Sequence, residues 1–154
     1  MIRVWLDADS CPAPVRNVII RAIKRENLLC TFVANRPIPL PGDAPVEMLV
    51  VPSREGAADD LIAAGIAPGD LAVTRDIPLA ARLLERDAVV MNDRGILFTR
   101  ETIRERLSVR DFMYELRFTG IVDPGNRQFG PKEVQNFANC FDRELRKLLK
   151  ARED

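Results

Sequence analysis

Five aspartates stand where a chain without histidine could still carry out hydrolytic chemistry. Asp7 and Asp9 follow a short apolar run in Asp7-Ala8-Asp9-Ser10-Cys11-Pro12. Asp76 follows a second such run in Thr74-Arg75-Asp76-Ile77-Pro78, and the Asp59-Asp60 pair lies between the two. Asn92 and Asp93 close a further run. Carboxylates gathered at one place repel, and their pKa values rise unless a cation neutralises them. A hard divalent ion with oxygen ligands meets that need, and Mg²⁺ or Mn²⁺ is the natural choice. Asp7, Asp9, Asp60 and Asp76 are the candidate ligands, and these four with Asp59 form the candidate catalytic set. Ser10, Thr74, Asn92 and Arg94 are placed to meet a substrate, Ser10 and Thr74 through their hydroxyls. Against this, an aspartate at a strand-to-helix junction is also an ordinary helix cap. That explanation serves any one of them alone and serves the adjacent pair Asp59-Asp60 least well.

The missing histidine removes several chemistries at once: the Ser-His-Asp and Cys-His triads, imidazole acid-base catalysis and His-ligated zinc. Cys11, Cys30 and Cys140 are odd in number and far apart, which speaks against a disulfide framework and for a reducing compartment. A phosphate-binding C-x5-R loop starting at Cys11 requires Arg at position 17, where the chain has Asn17. Cys11 is therefore read as a small packing residue. Arg94, Arg104, Arg106 and Arg110 could rim a nucleic-acid site, but Glu101, Glu105 and Asp111 interleave with them as on a solvated face.

The elements that would position these residues alternate. Ile2 to Leu6, Leu29 to Ala34, Val46 to Val51, Leu71 to Thr74 and Ala88 to Met91 are short apolar, β-branched runs and read as strands. Helices are expected over Pro14 to Arg25, Ala57 to Ala64 and Ile77 to Arg86, with a Pro-rich loop at Pro37 to Gly42. Phe98 to Leu116 reads as two short charged helices, and Pro131 to Lys150 has apolar residues at helical spacing. Continuous apolar strands alternating with helices predict an α/β protein whose mainly parallel sheet of about five strands is covered on both faces. In such a sheet, segments after the strands converge on one edge.

At 154 residues the chain is sized for one domain: an α/β core over 1–97 and a helical C-terminal addition over 98–154. Lys plus Arg and Asp plus Glu number 23 each, so no overall basic field points to nucleic acid. No apolar run is long enough for a membrane span, and the start of the chain lacks signal-peptide character. The expected location is the cytoplasm, with no membrane partner.

The combination of motifs is specific. Asp7-Ala8-Asp9-Ser10-Cys11-Pro12, Ala58-Asp59-Asp60, Thr74-Arg75-Asp76-Ile77-Pro78-Leu79-Ala80, Arg94-Gly95, Arg110-Asp111-Phe112-Met113 and the closing Phe137-Ala138-Asn139-Cys140-Phe141-Asp142-Arg143-Glu144-Leu145 resemble the YaiI/YqxD family of bacterial proteins over nearly the whole chain. The resemblance implies a single PIN-like domain, distantly similar to metal-dependent ribonucleases of the PIN and NYN groups. It implies an acidic cluster that binds Mg²⁺ or Mn²⁺ and hydrolyses RNA. By that resemblance Asp7 is the aspartate ending the first strand, Asp76 the one in the Thr-x-Asp segment, and Asp59 or Asp60 the helix-borne carboxylate. Where the family carries Pro between Asn and Arg-Gly this chain has Asp93, which leaves Asn92 as the alternative from that strand.

Three functions are compatible with these residues. The first is a divalent-metal-dependent nuclease, with RNA the favoured substrate. The second is a phosphatase of the haloacid-dehalogenase type using Asp7 as nucleophile and Asp9 as acid/base. That mechanism also needs a phosphate-contacting lysine, and none lies between Glu26 and Lys132. The third is a non-catalytic, metal-dependent RNA-binding module.

Overall fold

A computed structural model describes residues 1–108 and 129–153. The first apolar run forms β1 (Arg3–Asp7), followed by a single 3-10 turn at Ala8–Ser10 and the helix α1 (Ala13–Glu26). Pro14 is tolerated in the first turn of α1, and Asn27 ends the helix in the left-handed region at φ 53°. Then come β2 (Leu29–Ala34), β3 (Glu47–Val50), α2 (Ala57–Gly65), β4 (Leu71–Val73), α3 (Ile77–Glu85), β5 (Val89–Met91) and β6 (Leu97–Phe98). Helical residues 100–108 form α4, and Pro131–Glu153 forms α5.

The sheet has six strands in the order β3-β2-β1-β4-β5-β6. The first five run parallel and β6 pairs antiparallel with β5. The chain leaves β1 in one direction to lay down β2 and β3, then returns to place β4 on the other flank of β1. The carboxyl ends of β1 and β4 thus form a topological switch point, where open α/β sheets have their ligand crevice.

Side-chain alternation sorts the core into two layers. Val4 and Leu6 of β1 face one layer, packed with Val15, Ile19 and Ile23 of α1 and Phe137, Phe141 and Leu145 of α5. Trp5 faces the other, with Ile62 of α2 and Leu79 and Leu83 of α3. The C-terminal helix is therefore built into the core, and its Phe137 and Phe141 rings lie 5.5 Å apart. The amino edge is tied by Asp70, whose carboxylate accepts bonds from the Arg3 N–H, the Trp5 indole Nε1–H and the Ala67 N–H at 3.1, 3.1 and 2.9 Å.

The strand β6 is the one element missing from the sequence reading. Phe98, expected to open a helix, is instead buried and paired with Val90. The helix begins two residues later because Thr99 and Thr102 cap reciprocally: each hydroxyl accepts the other's backbone N–H at 3.1 Å. The remaining residues of that reading, through Leu116, and the Arg110 to Met113 motif lie outside the described residues from 109 on. Among the described residues no helix is long and apolar enough to cross a membrane.

Candidate functional site

The alternation that points Trp5 toward α2 and α3 also points Asp7 that way. Asp7 is the last residue of β1 and is buried. Thr74, one residue past β4, faces the same layer and donates its hydroxyl to Asp7 Oδ2 at 2.9 Å. The same Thr74 oxygen accepts the Asp76 N–H at 3.0 Å, so one buried hydroxyl fixes Asp7 and Asp76 relative to each other. Ser10 Oγ lies 3.0 Å from Asp7 O and 3.3 Å from Asp7 Oδ2, and its single proton serves one of them at a time.

Asp76 caps α3 through Oδ1, which accepts the Leu79 N–H at 2.9 Å. Capping uses one oxygen only, so a cap and a ligand are not exclusive roles for this residue. Asp59 comes from the first turn of α2 and faces the same place: its charge acts on Asp7, and the Asp76 charge acts on it. Its neighbour Asp60, one hundred degrees round the helix, is turned out between Arg82 at 3.2 Å and Arg54 at 3.7 Å. The structure thus brings together Asp7, Asp59 and Asp76, and it does not bring Asp60 into the group.

Burial, followed by the Asp59 and Asp76 charges, pushes the Asp7 carboxyl up to about 6 against the downward pull of the Thr74 and Ser10 bonds. Burial and then the Asp76 charge raise Asp59 as well. Asp7 Oδ1 takes no hydrogen bond among the described residues. Only Thr31 Oγ1 is fully enclosed there without a partner, so this Asp7 oxygen keeps access to solvent.

The other candidates lie around this trio. Asp9 is exposed, and its Oδ2 accepts the Asn35 N–H at 2.7 Å, bridging the β1 turn to the end of β2. Asn92 Oδ1 accepts the Arg94 and Ile96 N–H groups at 2.9 Å each, which folds the β5–β6 turn. Arg94 pairs with Glu133 at 3.8 Å and lies 5.2 Å over the Phe129 ring, so it leans on the start of α5. Asp93 is buried, raised by desolvation, and pairs at 3.7 Å with Arg75, an arginine that the sequence reading did not single out. Its only sequence signal is its place inside the Thr-Arg-Asp segment. Cys11 is buried and burial pushes its thiol upward, away from the nucleophilic thiolate. Lys24 and Lys147 pair with Asp43 and Glu144, away from the trio.

The donors present are hard carboxylate oxygens, the set that suits Mg²⁺ or Mn²⁺. Among the described residues no three His, Cys, Asp or Glu side chains already stand as a coordination set. The trio is close enough for its charges to interact but is not closed around a point. A concavity of about 770 Å³ between α3 and α4, bordered by Leu84, Arg100 and Ile103, contains none of the trio.

Fold and site together define a mainly parallel α/β protein with an acidic group at the switch point of its sheet. The chain belongs to the family described as "Uncharacterized BCR, YaiI/YqxD family", which it matches over residues 5–147. It is 45% identical over 149 residues to a UPF0178 protein of Syntrophobacter fumaroxidans, covering 97% of each chain. It is 46% identical over 151 residues to a UPF0178 protein of Treponema denticola, covering 98% of this chain and 96% of that one. A UPF0178 protein of Myxococcus xanthus is 46% identical over 149 residues, 97% of each chain. No solved structure matches the chain.

Proposed function

We propose that the protein is a divalent-metal-dependent nuclease, with RNA the favoured substrate, whose centre is Asp7, Asp59 and Asp76. One observation carries this reading: carboxylates from three separate elements lie near enough for their charges to interact at the switch point, and the buried one keeps an oxygen open to solvent. Three like charges in a partly buried place are costly, and a cation that neutralises them offsets that cost. Mg²⁺ or Mn²⁺ held by these residues supplies Lewis acidity to a phosphodiester and to the attacking water.

The chain's own residues do the rest. Thr74 aims Asp7 and holds the β4–α3 turn, keeping Asp7 and Asp76 in register. Ser10 shares the Asp7 carboxylate and is the less buried of its two hydroxyl partners, the one open to a phosphate oxygen. Asp60, Asn92 and Arg94 support the fold at the rim, through the Arg82 pair, the β5–β6 turn and α5. The phosphatase reading, which makes Asp9 the acid/base, fits less well because Asp9 is engaged with the Asn35 amide.

The test is cleavage of labelled single-stranded RNA by purified protein with Mn²⁺ or Mg²⁺, beside Asp7→Asn, Asp59→Asn and Asp76→Asn. Metal-dependent cleavage lost in all three folded variants supports the nuclease. Metal binding without cleavage of any RNA or DNA substrate points to the binding module instead. Hydrolysis of phosphate monoesters alone points to the phosphatase.

A further inference from the structure

Formal charge balances over the whole chain, so any local excess of one sign is a segregation made by the fold. Several arginines sit against carboxylates: Arg25 near Asp142, Arg54 and Arg82 on Asp60, Arg100 on Asp87, Arg143 on Glu144. Arg16 and Arg36 do not. Among the described residues neither forms an ion pair; Arg16 Nη1 donates to Cys11 O at 2.8 Å, and Arg36 makes no hydrogen bond.

Both line one cleft of about 390 Å³, beside the turn that follows Asp7. Among the described residues its only carboxylate is Asp9, which already accepts the Asn35 N–H. Its outer wall is Pro37-Ile38-Pro39, a segment stiffened by two fixed φ angles. A second cleft of about 320 Å³ shares Asp9 and Cys11 with the first and carries Arg75 on its far side. Through those shared residues the two clefts adjoin as a trough beside the turn that follows Asp7, with Arg16 and Arg36 at one end and the paired Arg75 and Asp93 at the other.

Two adjoining clefts, two guanidinium groups that have no ion pair among the described residues, and a proline-stiffened wall fit a chain of phosphates better than a lone anion. We propose that this trough binds the phosphodiester backbone of a nucleic-acid strand, with Arg16 and Arg36 each on a phosphate as the strand passes the carboxylates. The proposal rests on the nuclease reading for where the strand leads, but binding itself needs neither metal nor turnover.

The test is binding of a short fluorescent oligouridylate, followed by anisotropy in EDTA over a range of KCl concentrations. Variants are Arg16→Gln, Arg36→Gln and the double, with Arg16→Lys and Arg36→Lys as charge-keeping partners and Arg25→Gln as a control outside the trough. Each phosphate contact on a single strand contributes about 0.7 to the slope of log K against log salt, so the double Gln variant lowers that slope by about 1.4. The Lys variants retain the slope, as does Arg25→Gln. No binding by the unaltered protein, an unchanged slope in the double variant, or equal affinity for a mononucleotide each overturns the proposal. The two readings fail separately: arginine-dependent binding without metal-dependent cleavage supports the trough and removes the nuclease, whereas cleavage with an unchanged slope does the reverse.

Discussion

Asp7 sits where ionisation is expensive, and its carboxyl at about 6 against an ordinary 3.8 makes that cost measurable. The sign follows from proton counting. Between those two values the folded chain holds a proton that the unfolded chain has released, so stability falls as pH rises from about 4 to about 6. Above that window the penalty is full, at most about 3 kcal/mol. Asp7→Asn therefore matches the unaltered protein at the acid end and is the more stable of the two at pH 7, checked by urea denaturation at a series of pH values. Thr74→Val tests the buried hydroxyl. It leaves the Asp76 N–H unsatisfied, costing about 1–3 kcal/mol, and moves the Asp7 titration upward because the Thr74 bond lowers it. Thr74→Ser restores both, and NMR titration of the carboxylates reads the shift. At this scale Asp7 was legible because an apolar run stops abruptly on it, and Asp76 because it follows such a run by the Thr74-Arg75 turn. The choice between Asp59 and Asp60 was not, since it depends on the rotation of α2 against the sheet. The Arg75–Asp93 pair joins two turns through space and leaves no local trace.

Elements bring these residues together through close approaches that the sequence hints at only by glycine. Gly95 has φ +80°, and a Cβ there would run into the backbone of Asn136 in α5. The turn from β5 to β6 thus rests directly on the C-terminal helix, with Arg94 paired to Glu133 beside it. Gly95→Ala combines a strained φ with overpacking and costs about 2 kcal/mol or more, read as a fall in the thermal midpoint, while Gly42→Ala, with open space around it, is nearly neutral. The parallel strands and their helices were legible because buried strands of this kind are continuous apolar runs. The antiparallel β6 was not: two residues carry no periodicity, and Phe98 next to a helix looks like part of it.

For the whole molecule, strand order gives the site its place. Parallel pairing was readable from composition, but the order β3-β2-β1-β4-β5-β6 was not, because it is decided by long-range packing of α1 and α5 on one face and α2 and α3 on the other. That order puts β1 beside β4 and so sets Asp7 next to Thr74 and Asp76. The proposed nuclease function depends on whether this group takes a divalent cation. The direct measurement is a calorimetric titration of the protein with Mn²⁺ beside Asp7→Asn, Asp76→Asn and Asp60→Asn. The account predicts binding that weakens as pH falls through about 6, drops about tenfold or more in the Asp7 and Asp76 variants, and survives in Asp60→Asn. Absence of Mn²⁺ binding, or binding unchanged in Asp7→Asn, would contradict it.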